Sequence, residues 1–356
     1  MNVVIVGAGL SGPLLAQGLS RAGIAASVYE REAAVDERSQ GYRIHLDTEG
    51  DRALHACLPP ELYEQVVATS SMPGTGVTFL DPQLNVIRGF TVPPGDESAG
   101  QHLVVDRITL RNLLVAGLDV TYGASFERYE LLDNGRVRTF FTGAPAVDAD
   151  LLVAADGTHS AIRKQLLPGA EVVETGQFLT YGKTWLTEEV RALAPAPALE
   201  GFSVVNGTDG RFMPVAAFQS RAGGDDYLMW VVGAPDQPST GDGHELRRAA
   251  AEQVADWHPC LAALVRLGDP ATVHTTTIRT AKPVPPWQTV PVTLMGDAIH
   301  TMVPTGTSAA VALHDAALLC RHLIECDGSL LDAVHQYEAE MLEHGFAAVT
   351  RSLQGV

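Results

Sequence analysis

The segment "VVIVGAGLSG" (residues 3–12) decides how this chain is read. Val3 to Val6 form a short β-branched apolar run, the mark of a strand buried on both faces as in a parallel sheet. The run leads directly into Gly7, Gly9 and Gly12, spaced G-x-G-x-x-G, and then into "PLLAQGLSRAG" (13–23) with Leu14, Leu15 and Leu19 on one helical face. Pro13 falls in the first helical turn, where a missing N–H is tolerated, and Gly23 closes the helix. "IAASVYERE" (24–32) reads as a second strand ending at Glu30 and Arg31, with Glu30 placed 23 positions after Gly7. The glycine string alone is weak evidence, but the strand before it, the helix after it and the acidic residue beyond make a dinucleotide-binding βαβ unit. Gly7 permits the tight turn, Gly9 lets a pyrophosphate approach the backbone, and Gly12 allows close packing of helix on strand. Phosphate charge would sit on the helix N-terminus, and Glu30, flanked by Arg31, would accept hydrogen bonds from ribose hydroxyls. The fingerprint does not distinguish NAD from FAD. No second copy of the spacing occurs, which disfavours separate flavin and nicotinamide domains.

Composition narrows the rest. At 356 residues and 46% hydrophobic, the chain can bury a large core in one or two domains. A formal net charge of -18 argues against a nucleic-acid backbone and against an anionic membrane surface as partners. Cys57, Cys260, Cys320 and Cys326 make no C-x-x-C pair and read as buried reduced thiols, and the 12 histidines show no ligand spacing, so no metal is expected. The N-terminus lacks the basic flank of a signal peptide, and no window approaches the ~20 apolar residues of a membrane span. A cytoplasmic protein, monomer or homodimer, is the expectation.

Further along, "QHLVVDRITLRNLL" (101–114) is a strand running into a helix at Asp106 or Arg107, and Asp133-Asn134-Gly135 turns a hairpin. "DADLLVAADGTHSAIRKQLL" (148–167) repeats the strand–turn–helix pattern with Asp156-Gly157 in the turn. Residues 176–284 change texture to β-rich runs bounded by Gly, Asp and Pro. They read, with 71–100, as a β-rich domain inserted into a first domain made of 1–70, 101–175 and 285–356. The chain re-enters that first domain at "VTLMGDAIHTMVP" (292–304) and ends in two helices, about 307–325 and 329–352. The fold class is α/β, a Rossmann-type domain with an inserted β-rich substrate domain and C-terminal helices.

Taken together, the N-terminal fingerprint, "ADGTHSAIR" (155–163) and "GDAIHTMVP" (296–304) resemble the three motifs of the FAD-dependent aromatic hydroxylases, the para-hydroxybenzoate hydroxylase-like monooxygenases. "VVDRITLRNLL" (104–114) adds a fourth match. The resemblance spans the whole length and is closest to short actinomycete-type members of secondary metabolism. It implies FAD as cofactor, NADPH or NADH as co-substrate, and insertion of one atom of O2 into an aromatic or polyketide-like small molecule through a flavin C4a-hydroperoxide. On this resemblance Gly296 and Asp297 meet the ribityl chain, Arg107 contacts the flavin, and Arg43 lies along the flavin edge or pyrophosphate. Asp156 and Gly157 lie near the pyrophosphate, with Asp156 either touching cofactor or only capping the next helix. Arg163 steadies that loop or is merely solvated, and His300 is a packed histidine before it is a base.

Relatives carry G-x-G-x-N after the proline, whereas this chain reads "TGTSAA" (305–310), with Ala310 at the asparagine position. Gly306 and Ser308 can still offer backbone N–H groups to the flavin's pyrimidine edge. That departure keeps open a non-oxygenating FAD cyclase or isomerase, and more remotely a non-enzymatic ligand-binding protein. The substrate pocket is expected from Tyr181, Met213, Phe218, Met229 and Trp230. Alternation in "DYLMWVV" (226–232) sends Tyr227, Met229 and Val231 to one face and Leu228, Trp230 and Val232 to the other. No catalytic acid or base is named by the sequence.

Overall fold

The computed structural model describes residues 1–34, 41–72, 74–91, 100–235 and 240–354. Part of the expected 71–100 segment, residues 92–99, lies outside the described residues. The first layer is a five-stranded parallel sheet in the order β17 (Val292–Leu294), β11 (Leu151–Ala154), β1 (Asn2–Val6), β2 (Ala25–Tyr29) and β7 (Val120–Thr121). Val3, Val4 and Ile5 are fully buried, as a strand covered on both faces requires. Three strands named from sequence, β1, β11 and β17, are neighbours here. All three motif turns therefore leave the same carboxyl edge.

The Ser11–Arg21 helix packs behind β1 and crosses the Ser308–Glu325 helix closely. Gly18 makes the crossing possible, because a Cβ there would lie 2.7 Å from Cys320 Sγ and 3.1 Å from Cys57 Sγ. Cys57, Cys260 and Cys320 are buried free thiols, whereas Cys326 caps the end of its helix and is half-buried. The C-terminal helices run Ser308–Glu325 and Leu330–Gln354, close to expectation. The hairpin of β8 (Ser125–Leu131) and β9 (Val137–Thr142) turns at Gly135, φ +78°, and β10 (Val147–Ala149) completes a three-stranded sheet.

The second large layer is a seven-stranded sheet in the order β16 (His274–Ala281), β12 (Val172–Trp185), β15 (Tyr227–Ala234), β14 (Phe212–Phe218), β13 (Phe202–Asn206), β4 (Gly76–Leu80) and β5 (Val86–Thr91). A two-stranded ribbon, β3 (Arg43–Leu46) with β6 (Leu103–Asp106), lies between the layers. The inner face of the sheet packs on it: Tyr227, Met229, Val231 and Phe218 cluster with Tyr42, Val104 and Val303. The outer face carries Met213, Trp230 and Val232 against the Gly243–Gln253 and Pro259–Arg266 helices.

This corrects two pocket expectations. Met213 and Trp230 are fully buried in the outer core, because strand alternation turns them away from the parallel sheet. Gly182 leaves room for the indole, since a Cβ there would lie 2.1 Å from Trp230 Cζ2. Trp230 Nε1 donates to Thr184 Oγ1 at 3.1 Å.

The two layers are joined by a buried charge contact. Lys183 Nζ on β12 donates to Asp106 Oδ2 at 2.9 Å, and Tyr227 OH donates to the same oxygen at 2.8 Å. Asp106 also caps the Arg107–Val115 helix by accepting from the N–H groups of Ile108 and Thr109. Its other partners thus leave it no free valence for a further cation.

Trp230→Ala removes a fully buried indole from the outer core, so a loss of about 3–5 kcal/mol is expected in urea unfolding. Bound-flavin absorbance at zero urea should stay unchanged, because the side chain faces away from the first layer. A loss below 1 kcal/mol would contradict this packing.

Candidate active site

The turn after β1 is shaped by contacts that exclude side chains. Gly7 holds φ +112°, and a Cβ there would lie 2.2 Å from the Ala155 carbonyl oxygen, on the turn after β11. At Gly12 a Cβ would lie 2.2 Å from Gly7 O, so helix and turn are in backbone contact. Gly9 differs: nothing lies within 4 Å of its Cβ direction, and it lines an open cleft of about 670 Å³. Beyond it the Ser11–Arg21 helix begins without a side-chain cap and without an acidic residue in its first turn. Its unsatisfied N–H groups and positive dipole end are available to an anion.

Glu30 lines the same cleft and is 8% exposed. Its Oε2 accepts from Ala8 N at 2.7 Å and its Oε1 from Glu32 N at 3.0 Å, so it also holds the glycine turn in shape. Arg111 secures both: its Nε donates to Ala8 O at 2.7 Å, and its guanidinium lies 2.8 Å from Glu32 Oε2. Sequence reading missed Arg111, which sits one turn after Arg107 in a plain helical stretch.

The second and third motifs face the first. Asp156 Oδ2 accepts from Ala161 N at 2.9 Å, while Ser160 is the N-cap of the short Ala161–Leu166 helix. The capping reading of Asp156 thus holds for one oxygen. Its Oδ1 is buried with no hydrogen-bond partner among the described residues, and the residue lines the cleft beside Gly157. Burial raises the Asp156 pKa above the usual carboxylate value. Arg163 is buried, not solvated: it donates to Ala298 O at 2.7 Å and Thr158 O at 2.8 Å, tying the second motif to the third.

In the third motif Gly296 adopts φ +57° and turns the chain so that Asp297 stands exposed on the cleft wall. No hydrogen bond reaches the Asp297 carboxylate among the described residues. Behind it, Asp315 is fully buried and its Oδ2 accepts from Gly296 N at 2.7 Å and from His300 Nε2 at 2.6 Å. His344 Nε2 meets Asp315 Oδ1 at 2.7 Å. These three groups converge within 4.8 Å, a spacing a cation could use, but they are already bonded to one another. Burial alone would lower His300, yet Asp315 raises its pKa above the usual imidazole value. Burial would likewise raise Asp315, but the two histidines hold it far below the carboxylate range.

Arg107, Arg31, Tyr181 and Ser308 also line the cleft, with Leu179 and Thr276–Arg279 of β12 and β16 forming the opposite wall. The Ser308–Glu325 helix starts uncapped at this wall, and Ser308, Ala309 and Ala312 face the opening. Ala310, at the expected asparagine position, is buried against Gly50 instead. Gly306 takes φ +95° two residues before the helix and lies off the lining. Phe218 and Met229 lie in the inner apolar cluster rather than on the cleft wall.

Arg43 is displaced from its expected place. On β3 it is Ile44 that faces the cleft, and alternation sends Arg43 to the seven-stranded sheet, where Nε donates to Ala217 O at 3.1 Å.

The residues around the cleft fit a dinucleotide. The cleft has an uncapped helix end at each of two walls, an open backbone approach at Gly9, and acceptors at Glu30 and Asp297. Across residues 117–352 the chain matches the family model described as FAD binding domain; it belongs to that family, and its cofactor is FAD. Among relatives, it is 30% identical to the dual O-methyltransferase/FAD-dependent monooxygenase elcB of Phaeosphaeria nodorum, over all of this chain and 45% of that protein. The chain spans about half the length of the first such relatives. It is 28% identical to the FAD-dependent monooxygenase thnD of Trichoderma harzianum, over 100% of this chain and 93% of that one. The solved structure of a candidate FAD-containing monooxygenase from Photorhabdus luminescens superposes with a TM-score of 0.88 at 29% identity, covering 100% of this chain and 97% of that one.

Two outcomes check the site. Gly9→Ala should leave apoprotein melting unchanged yet weaken FAD roughly tenfold or more, since its methyl enters the space a pyrophosphate needs. Gly7→Ala should instead destabilise the apoprotein; equal melting of the two variants would sink this reading. The second outcome concerns pH. The folded His300 pKa is raised, so its stabilisation is present below about 6.5 and lost as pH rises through the folded value. The folded Asp315 pKa is lowered, so its contribution is present above about 4 and lost on acidification through its folded value. The melting-temperature gap between wild type and His300→Gln should therefore be widest near pH 4–6.5 and narrow on the alkaline side. A gap that stays constant to pH 9 would contradict the pairing.

Proposed function

We propose that this chain is an FAD-dependent monooxygenase that uses NADPH or NADH and inserts one atom of O2 into an aromatic or polyketide-like small molecule. The observation that carries the reading is the single cleft lined by all three motif turns and walled by β12 and β16 of a separate sheet. Relatives named FAD-dependent monooxygenases support it. Bound FAD supplies electron storage and oxygen activation; the protein supplies binding, orientation and shielding.

In this reading the Ser11 helix end and the Gly7–Gly9 turn take the pyrophosphate, with Gly12 keeping helix and turn in contact. Glu30 and Arg31 take the adenosine end. Asp297, held by Gly296 and Asp315, accepts from ribityl hydroxyls. Arg107, Asp156 and Gly157 border the groove, and the uncapped helix end at Ser308, reached through Gly306, faces the pyrimidine edge and favours negative charge there. Tyr181 and Leu179 present an apolar wall that limits water at the reactive end.

Substrate then enters between the first layer and the inner face of the seven-stranded sheet. Residues 71–100 and 176–284 act as the substrate domain, and 1–70, 101–175 and 285–356 as the FAD domain. No described helix is long and apolar enough to cross a membrane. We take the working compartment to be the cytoplasm and the assembly to be a monomer or homodimer.

The test follows flavin bleaching and nucleotide oxidation by stopped-flow, with NADH and NADPH, across a panel of phenols and aromatic polyketides. Reduction by at least one nucleotide, O2 uptake and a product heavier by one oxygen are expected. Asp297→Ala should lower FAD affinity by about tenfold or more, the loss of one or two charge-assisted hydrogen bonds. Flavin that neither nucleotide reduces would overturn the monooxygenase assignment and leave FAD binding standing.

A further inference from the structure

Two of the buried cysteines meet where three helices cross, behind the cleft. Cys57 ends the Thr48–Cys57 helix and Cys320 lies within the Ser308–Glu325 helix, and both belong to the core around the parallel sheet. These helices lie side by side. Near one end of their contact, a Cβ on Gly50 would stand 3.1 Å from Ala310 Cβ. Further along, the Ser11–Arg21 helix crosses both at Gly18. The point where a Cβ on Gly18 would stand is 2.7 Å from Cys320 Sγ and 3.1 Å from Cys57 Sγ. No side chain from the crossing helix therefore separates the two sulfurs, and the Cys57 thiol hydrogen-bonds to Cys320. The other two cysteines have different neighbours. Cys260 packs in the outer core beside His258, and Cys326 donates to Ser329 O.

Arg21 stands beside this pair. Its guanidinium donates to Ala56 O and Leu58 O, each at 2.8 Å, on either side of Cys57. The hydrogen bond with Cys57 holds Cys320 below the ordinary thiol value against the effect of burial, and the Arg21 charge adds to that shift. The same bond, joined by burial, raises Cys57. One thiol gives up its proton more readily while its neighbour keeps one, the arrangement of an attacking and a resolving cysteine. Cys57 is 1% and Cys320 5% exposed, so an oxidant that reaches them must be close to water in size, as hydrogen peroxide is. In a reducing compartment such thiols stay reduced, and a bond between them marks a response to oxidant.

We propose that Cys57 and Cys320 are a redox-active pair that closes into a disulfide on exposure to hydrogen peroxide and clamps the Thr48–Cys57 helix to the Ser308–Glu325 helix. In the first step the Cys320 thiolate attacks one peroxide oxygen. The O–O bond breaks, and the departing hydroxide takes up the proton given up by Cys320 to leave as water. The Cys57 sulfur then attacks the sulfenic sulfur on Cys320. The S–S bond forms, the S–O bond breaks, and the second hydroxide leaves with the Cys57 proton. The two sulfurs together lose two electrons, and the peroxide ends as two waters. The clamp reaches the cleft, because the Ser308–Glu325 helix starts on its wall at Ser308 and packs on Gly50 at Ala310. This pairing is independent of the monooxygenase reading.

The experiment treats FAD-loaded protein with hydrogen peroxide in small excess, denatures it in the presence of an alkylating reagent and maps the cysteine peptides by mass spectrometry. Wild type should lose two of its four alkylatable thiols. A linked Cys57–Cys320 peptide, two hydrogens lighter than the separate pair, should appear and vanish on reduction with dithiothreitol. Cys57→Ala should gain oxygen on Cys320 and give no linked peptide, while Cys260→Ser and Cys326→Ser should behave as wild type. Oxidised wild type should melt a few degrees above the reduced form, since a bond between positions so far apart in the chain restrains the unfolded state. Neither Cys57→Ala nor Cys320→Ala should show that rise. The pairing is overturned if Cys57 and Cys320 alkylate as free thiols after peroxide treatment, if each ends as an unlinked sulfinic acid, or if the linkage is to Cys260 or Cys326. A linked protein that melts no higher than the reduced one would overturn the clamp.

Discussion

The site depends on one close approach, the backbone of Gly7 against the carbonyl of Ala155. Adjacent parallel strands β1 and β11 end in turns that touch, with no room for a side chain between them. From that contact the helix after β1 is aimed across the sheet edge, and the turn after β11 is pressed to the same side. Arg163 then extends the constraint to the third motif by gripping Ala298 O. Three loops far apart in sequence thus behave as one rim. Ligands of open α/β sheets collect at this carboxyl edge for the same geometric reason.

Behind the rim, Asp315 does for the Gly296–Asp297 turn what Glu30 does for the Gly7–Gly9 turn. Each is a buried carboxylate that accepts a backbone N–H from the turn, with Arg111 4.0 Å from Glu30 and with His300 and His344 on Asp315. The turn that presents Asp297 is therefore fixed from within, which leaves Asp297 free to face outward. The altered stretch 305–310 also finds its place here. The helix at Ser308 still begins uncapped at the cleft, and Ala310 packs inward on Gly50. What the departure removes is an amide side chain, not the backbone end that faces the opening.

Much of this was legible from spacing. β1, the Ser11 helix, β2, the Gly135 hairpin and the two final helices follow from local pattern, because turn glycines and helical periodicity act over a few residues. The cleft positions of Gly7, Gly9, Glu30, Arg107, Asp156, Asp297 and Ser308 were readable because each sits at a strand or helix end, where a motif has fixed offsets. Arg111 and His344 were not readable: they lie inside helices, and their importance comes from partners 81 and 29 positions away, Glu30 and Asp315. Met213 and Trp230 failed for a related reason. Alternation separates two faces of a strand without saying which is covered by helices and which by the β3–β6 ribbon.

The sequence by itself determined a dinucleotide-binding βαβ unit, the order of the motif turns, and the acidic and glycine residues that line the cleft. Those are properties of short segments, set by sterics at Gly7 and by the period of apolar residues. Tertiary structure alone decided which face of β15 looks inward, how Asp315 supports the third turn, and that Arg43 lies on the large sheet instead of the cleft wall. Each of these depends on the register of strands distant in the chain, where a shift of one residue exchanges the two faces.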